Sequence, residues 1–234
     1  MKNRNALLIW IVLFLLADAS WSAELQTNTT YMSEAPRWVD KTRIDKVSDR
    51  VQSYLEWSIR RVTVIWYKDQ QSFGRVHGLG PMVLAFSRKT DNTIHLGPKI
   101  TTQNFDQIFA HELSHVISYQ KYKEAIPQWL EEGLANHLSK ASAVDYAWLA
   151  TQGPPPDVHD LAHPFSSTAE QVRYRYMASQ ALVEMISAKC DFKNLLRLSV
   201  GMKMENYLDT YCRLPDLNMA FRKWLAEKKP SLKK

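Results

Sequence analysis

Residues 105–119 read FDQIFAHELSHVISY, with His111-Glu112-Leu113-Ser114-His115 at their centre. Apolar residues recur along the stretch at helical spacing. On a wheel of 100° per residue starting at Phe105, the residues Phe105, Phe109, Leu113, Val116 and Ile117 fall within about 0–120°. His111 and His115 fall at about 240° and 280°, and Glu112 at about 340°. Only Gln107, Ser114 and Ser118 occupy the arc at about 180–220°. The helix is therefore expected to bury one side and turn another toward a site. Two histidines at i and i+4 stand one turn apart, about 6 Å along the axis, so both imidazoles reach one metal ion. Glu112, on the adjoining edge, can act as a base there without ligating the metal.

A catalytic metal of the zinc type takes a third protein ligand and keeps one position open. The next helix is expected to begin at Ile126-Pro127, with proline in the first turn, and it reads PQWLEEGLANHL. Glu131, Glu132 and His137 are the candidates. Glu132 is favoured because Asn136 follows at its i+4 position, where a polar group could hold a metal-bound histidine. Glu131 has Ala135 at that spacing and reads as a solvated charge. His137 reads as a surface or packing histidine. Gly133 and Ala135 are small, which would let this helix approach the metal helix closely.

HELSH and Glu132 are separated by sixteen residues, and Glu132 lies within WLEEGLA. This pairing resembles zinc metallopeptidases of the gluzincin type. More narrowly it is similar to the peptidase MA-like domains, whose pattern is HExxH followed by a Trp-Leu-x-Glu-Gly-x-Ala helix. The resemblance runs from about Val62 to Trp224. It implies a zincin-like fold and one zinc ion per chain, held by His111, His115 and Glu132. It implies Glu112 as general base, and a peptide or protein as substrate. The chain departs from the thermolysin-like pattern in having Asn136, not aspartate, four residues after the third ligand. It also lacks the third histidine and the glycine of metzincins.

Peptide hydrolysis needs a donor for the developing oxyanion in addition to the metal. Tyr174 and Tyr176, in QVRYRYMASQALVEMI, are the best candidates. Tyr176 is preferred because, by the same resemblance, it occupies a frequently aromatic position at the start of that helix. His159 and His163 are rivals. Gluzincin-type sites commonly bind substrate as an extra antiparallel strand, and TIHLG (93–97) is the segment expected to pair with it. Two other readings of the motif stand beside the peptidase: a zinc hydrolase acting on a non-peptide amide, and a zinc-bearing binding or regulatory protein that has lost activity.

Outward from the motif, the chain divides in two. Residues 24–36 are polar and read as loose. A covering helix is expected between Pro36 and Trp57. RVTVIWYKD (61–69) reads as a strand, and PMVLAFS with NTIHLG as a hairpin turning at Asp91-Asn92. After Gly97-Pro98, helical periodicity takes over at 102–120, 127–150 and 168–229. TQGPPPDVHDLAHPFSS (151–167) interrupts it as a long ordered loop or lid. The expected class is α+β, with a small sheet-bearing half to about residue 100 and a helical half after it.

The N-terminus opens with Lys2 and Arg4, then an apolar run from Ala6 to Ala17. About 12 residues are too few to cross about 30 Å of hydrocarbon as a helix. Ala17-Asp18-Ala19 and Ser20-Trp21-Ser22 fit the small-residue cleavage rule. Residues 1–22 are thus expected to be a cleaved secretory signal, with cleavage near 19–22, and residues 23–234 a single domain. The mature protein would be periplasmic or extracellular and would not contact the membrane. In such a compartment Cys190 and Cys212, the two cysteines of the chain, are expected to pair, tying two helix ends together.

The 234 residues are 45% hydrophobic and 23% charged, a balance that argues against disorder. The net charge of +6 is modest and spread along the chain. No focused basic stripe or nucleic-acid module is present, so nucleic acid is not an expected partner.

Overall fold

The computed structural model describes residues 21–22, 24–140, 143–162, 168–198 and 201–228. All but two residues of the expected signal, and His163, lie outside them.

The fold is mixed α+β: a small N-terminal sheet followed by a mostly helical remainder. Strands β1 (Trp21–Ser22) and β4 (Ala35–Pro36) form a short antiparallel pair. The main sheet contains β2 (Leu25–Gln26), β3 (Thr30–Met32), β5 (Val62–Trp66), β6 (Ala85–Arg88) and β7 (Thr93–Leu96). Its order is β2-β3-β5-β7-β6, with β3, β5 and β7 parallel. The β6–β7 hairpin is antiparallel and turns through a 3-10 segment, Lys89–Asp91, with Asn92 at φ 52°.

Helix α1 (Lys41–Leu55) starts at the N-cap Asp40, whose carboxylate accepts from Arg43 N at 2.8 Å. It buries Ile44, Val47, Val51 and Leu55, a stripe at helical spacing. Helices α3 (Phe105–Tyr122), α4 (Gln128–Ser139) and α6 (Ala169–Lys189) form the centre of the molecule. Helix α3 packs on α1, α4 and β6, while α4 also packs on α6. Helices α5 (Tyr146–Gln152), α7 (Phe192–Leu198), α8 (Met204–Thr210) and α9 (Leu217–Lys228) complete the helical part. Cys190 caps α6 and is bonded to Cys212, just past α8, with Cα atoms 5.1 Å apart.

Four local expectations need correction. Residues 24–36 are not loose: they supply three strands, β2 and β3 in the main sheet and β4 in the short pair. Three of their polar residues, Thr27, Thr29 and Thr30, are buried because they satisfy one another and Ser48. Thr30 N donates to Thr27 Oγ1 at 3.1 Å, and Thr29 Oγ1 donates to Ser48 Oγ of α1 at 3.1 Å. A helix missing from the sequence reading, α2 (Gln70–His77), runs from the N-cap Asp69 to Gly78 at φ 61°.

TIHLG is not an edge. β7 is paired with β5 on one side and β6 on the other, so its backbone has no room for a substrate strand. On this side of the sheet the edge is β6, because the hairpin folds back outward. Finally, of the two readings of 151–167, the described part fits the ordered loop and does not hang free as a lid. Val158 and Leu161 of its 3-10 turn are buried. Asn218 Oδ1 accepts from Val158 N at 2.8 Å, and Arg222 donates to the Pro156 carbonyl at 3.0 Å, fastening the segment to α9.

Among the described residues no helix is long and apolar enough to cross a membrane.

Candidate metal centre

The start of α3 is anchored by aromatic packing. Phe105 stacks on Trp66 at 5.7 Å and meets Trp38 edge-on at 5.6 Å. With that face held in the core, the opposite side of the helix carries His111 and His115 toward α4. Their rings stand 4.9 Å apart, nearly perpendicular.

Helix α4 brings Glu132 to the same point. His111, His115 and Glu132 each offer a ligand atom, and these atoms lie within 4.8 Å of one another. His111 Nε2 and His115 Nε2 are 3.2 Å apart. Glu132 Oε2 is 3.5 Å from His111 Nε2, and Glu132 Oε1 is 3.7 Å from His115 Nε2. Bonds of about 2.0–2.1 Å to a tetrahedral ion place neighbouring ligand atoms about 3.4 Å apart. The three separations bracket that value, so the group can hold a metal ion. The preference for Glu132 among three candidates agrees with this geometry. His137 is not in the cluster; its ring lies 5.8 Å from Tyr54.

Glu131 is not a solvated charge. It is buried, 6% exposed. Its Oε1 lies 3.0 Å from His115 Nδ1, and Lys89 Nζ donates to its two oxygens at 3.0 and 3.2 Å. The role expected of Asn136 is thus filled by Glu131. Asn136 Nδ2 instead donates to the Tyr176 carbonyl at 3.3 Å. Neighbours on a helix differ by about 100° in direction. Glu131 and Glu132 therefore reach different nitrogens of the pair of imidazoles.

Charge explains the protonation of the metal-free cluster. Burial disfavours a charged His115, but Glu132 and Glu131 outweigh it and lift the ring to about 9. Burial would raise Glu131, yet His115 and Lys89 hold it below the usual carboxylate range. Glu112 is raised, chiefly by burial, against the pull of His111 and His115. The nearby Ser87 hydroxyl of β6 pulls it slightly the same way as the histidines.

A cavity of about 370 Å³ opens in front of these groups. His111, Glu112, Asn136 and Tyr176 line its polar side, while Val83, Ile108, Val172 and Met177 make an apolar wall. Tyr176 stands edge-on to His111 at 5.9 Å. Burial, with Glu132 and Glu112 nearby, raises its phenol, which stays protonated. The rival donors are elsewhere. Tyr174 donates to the Gly153 carbonyl at 3.0 Å. His159, an exposed residue that does not line the cavity, is held between Asp157 at 2.6 Å and Glu205 at 3.0 Å.

Glu131, Lys89 and Ser87 were missed by sequence reasoning. Glu131 carried a signal, being an acid beside the favoured ligand. Lys89 and Ser87 carried none, because only the tertiary placement of the hairpin against α3 brings them near. No protein-family model matches the chain, and no curated protein matches it.

Proposed function

We propose that the chain is an exported zinc metallopeptidase whose centre is His111, His115 and Glu132. The observation carrying this reading is the triangle of ligand atoms with a buried Glu112 beside it, at the mouth of a cavity next to a sheet edge. The disulfide between Cys190 and Cys212 is compatible with an oxidising compartment, which supports export.

Zinc, when bound, would polarise the scissile carbonyl and acidify a water molecule. The remaining chemistry belongs to this chain. Glu112, raised by burial, takes a proton as water attacks and hands it to the leaving amine. Tyr176, kept protonated, donates to the developing oxyanion. The outer side of β6 offers backbone groups to an extended peptide, and Val83 to Ala85 continue that edge along the cavity. The wall of Val83, Ile108, Val172 and Met177 favours an apolar substrate side chain next to the cut bond.

The test is digestion of a complex peptide library by the mature protein and by Glu112→Gln, at matched zinc occupancy. Wild type should cleave, and the variant should keep its zinc while losing well over ~10²-fold in rate. Zinc bound in both with no cleavage by either would sink the peptidase reading in favour of a non-peptide amide hydrolase or a binding protein.

A further inference from the structure

We propose that Lys89 and Glu131 are positioning residues for the metal, acting through His115; this rests on the metal-centre reading above. The juxtaposition is specific. Glu131 Oε1 meets His115 Nδ1 at 3.0 Å, while Nε2 of the same ring faces His111 and Glu132. A carboxylate at Nδ1 fixes the hydrogen there and leaves the Nε2 lone pair pointing into the ligand triangle. It also locks the ring's rotation.

Lys89 is needed for that carboxylate to stay charged. The Glu131 side chain is 8% exposed, and a buried carboxylate without a counter-ion is costly. In the metal-free cluster His115 itself can be that counter-ion. Once a metal is ligated, His115 is neutral, and Lys89 is then the cation paired with Glu131, contacting both of its oxygens. Lys89 sits in the turn of the β6–β7 hairpin, two residues beyond Ser87, a neighbour of Glu112. One hairpin therefore lies against both the proposed base and the partner of a proposed ligand. This arrangement also accounts for Asn136. With the histidine partner supplied by the residue before the ligand, position 136 is released to bind the Tyr176 carbonyl.

The experiment is zinc affinity, measured with a chromophoric chelator as competitor, on the full mature chain. Glu131→Gln should weaken zinc by roughly 10–100-fold. Lys89→Met should weaken it less, by roughly 3–10-fold, since it acts at one remove. Lys89→Arg should restore most of that loss. The double variant should bind no more weakly than Glu131→Gln alone, because Lys89 works through Glu131. The Lys89 side chain is 32% exposed, so its substitution tests the idea even if Glu131→Gln folds poorly. Unfolding midpoints of the metal-free proteins run alongside. Lower midpoints with unchanged zinc affinity would overturn the proposal, as would losses that simply add in the double variant. A wild-type chain that binds no zinc would overturn the metal-centre reading itself, a distinguishable result.

Discussion

A Cβ placed on Gly133 would lie 2.2 Å from the carbonyl oxygen of Ser179, with Val183 Cγ2 at 2.8 Å. The small residue next to the proposed ligand Glu132 therefore serves the contact of α4 with α6. It was expected to serve the contact with the metal helix α3. The obstacle is backbone, which cannot rotate away as a side chain can. Alanine at this position must push the two helices apart and shift Glu132 with them. Gly133→Ala should lose about 1–3 kcal/mol of unfolding free energy, the usual range for overpacking. Its zinc affinity should fall as well. Denaturant titration in chelator and chelator competition measure the two effects, and a variant matching wild type in both would mean the helices separate freely.

What the sequence carried was local. His111 and His115 share a face because helix geometry leaves no alternative at i and i+4. The β6–β7 hairpin was legible from its two β-rich runs and the Asp91-Asn92 turn. Its orientation was not, since nothing within 81–97 says which strand pairs with β5, a partner some thirty residues earlier. Glu131 was misjudged for a similar reason. A wheel separates neighbouring glutamates, but it does not say that α3 presents both nitrogens of His115 to α4. Thr27, Thr29 and Thr30 belong to a stretch that was read as loose because it is polar. Their burial depends on mutual hydrogen bonds and on Ser48, a partner on another element. The caps of α2, Asp69 and Gly78, were visible in the sequence, but only one residue between them, Phe73, is buried. A helix of that length shows too little periodicity to be found from the pattern.

His95 predicts an acid-side loss of stability. It is 3% exposed, with Nδ1 at 3.0 Å from the Tyr67 hydroxyl and Nε2 at 3.2 Å from Thr93 Oγ1. Phe86 stacks on it at 4.4 Å. Burial, aided by Arg88, lowers the ring from 6.5 to about 4. Between those values the unfolded chain binds a proton that the folded chain refuses, so stability rises with pH. The contribution is fully present above pH 6.5 and lost as pH falls to about 4. A difference of that size corresponds to roughly 3 kcal/mol. His115, shifted upward, acts in the window above 6.5 and does not interfere. Unfolding free energies in chelator from pH 4 to 7 should show a shallower slope for His95→Gln than for wild type. Parallel curves would mean that the unfolded and folded rings titrate alike.

The donor role proposed for Tyr176 separates the peptidase reading from a mere metal site. It lines the cavity with His111 and Glu112, and its ring stands 5.9 Å from that of His111. Burial and the carboxylates of Glu132 and Glu112 raise its phenol, so it remains a donor throughout the neutral range. A donor aimed at the oxyanion is strengthened only as negative charge develops, so its removal acts on kcat more than on KM. Tyr176→Phe keeps the ring that packs against His111 and removes the hydroxyl alone. On the best peptide from the library, kcat should fall on the order of 10²-fold, with KM within about twofold of wild type if only transition-state binding is lost. Zinc affinity should not change, because the phenol lies outside the ligand triangle. A variant with unchanged kcat would reduce Tyr176 to a packing residue. A variant that lost zinc would make it a support for His111 instead.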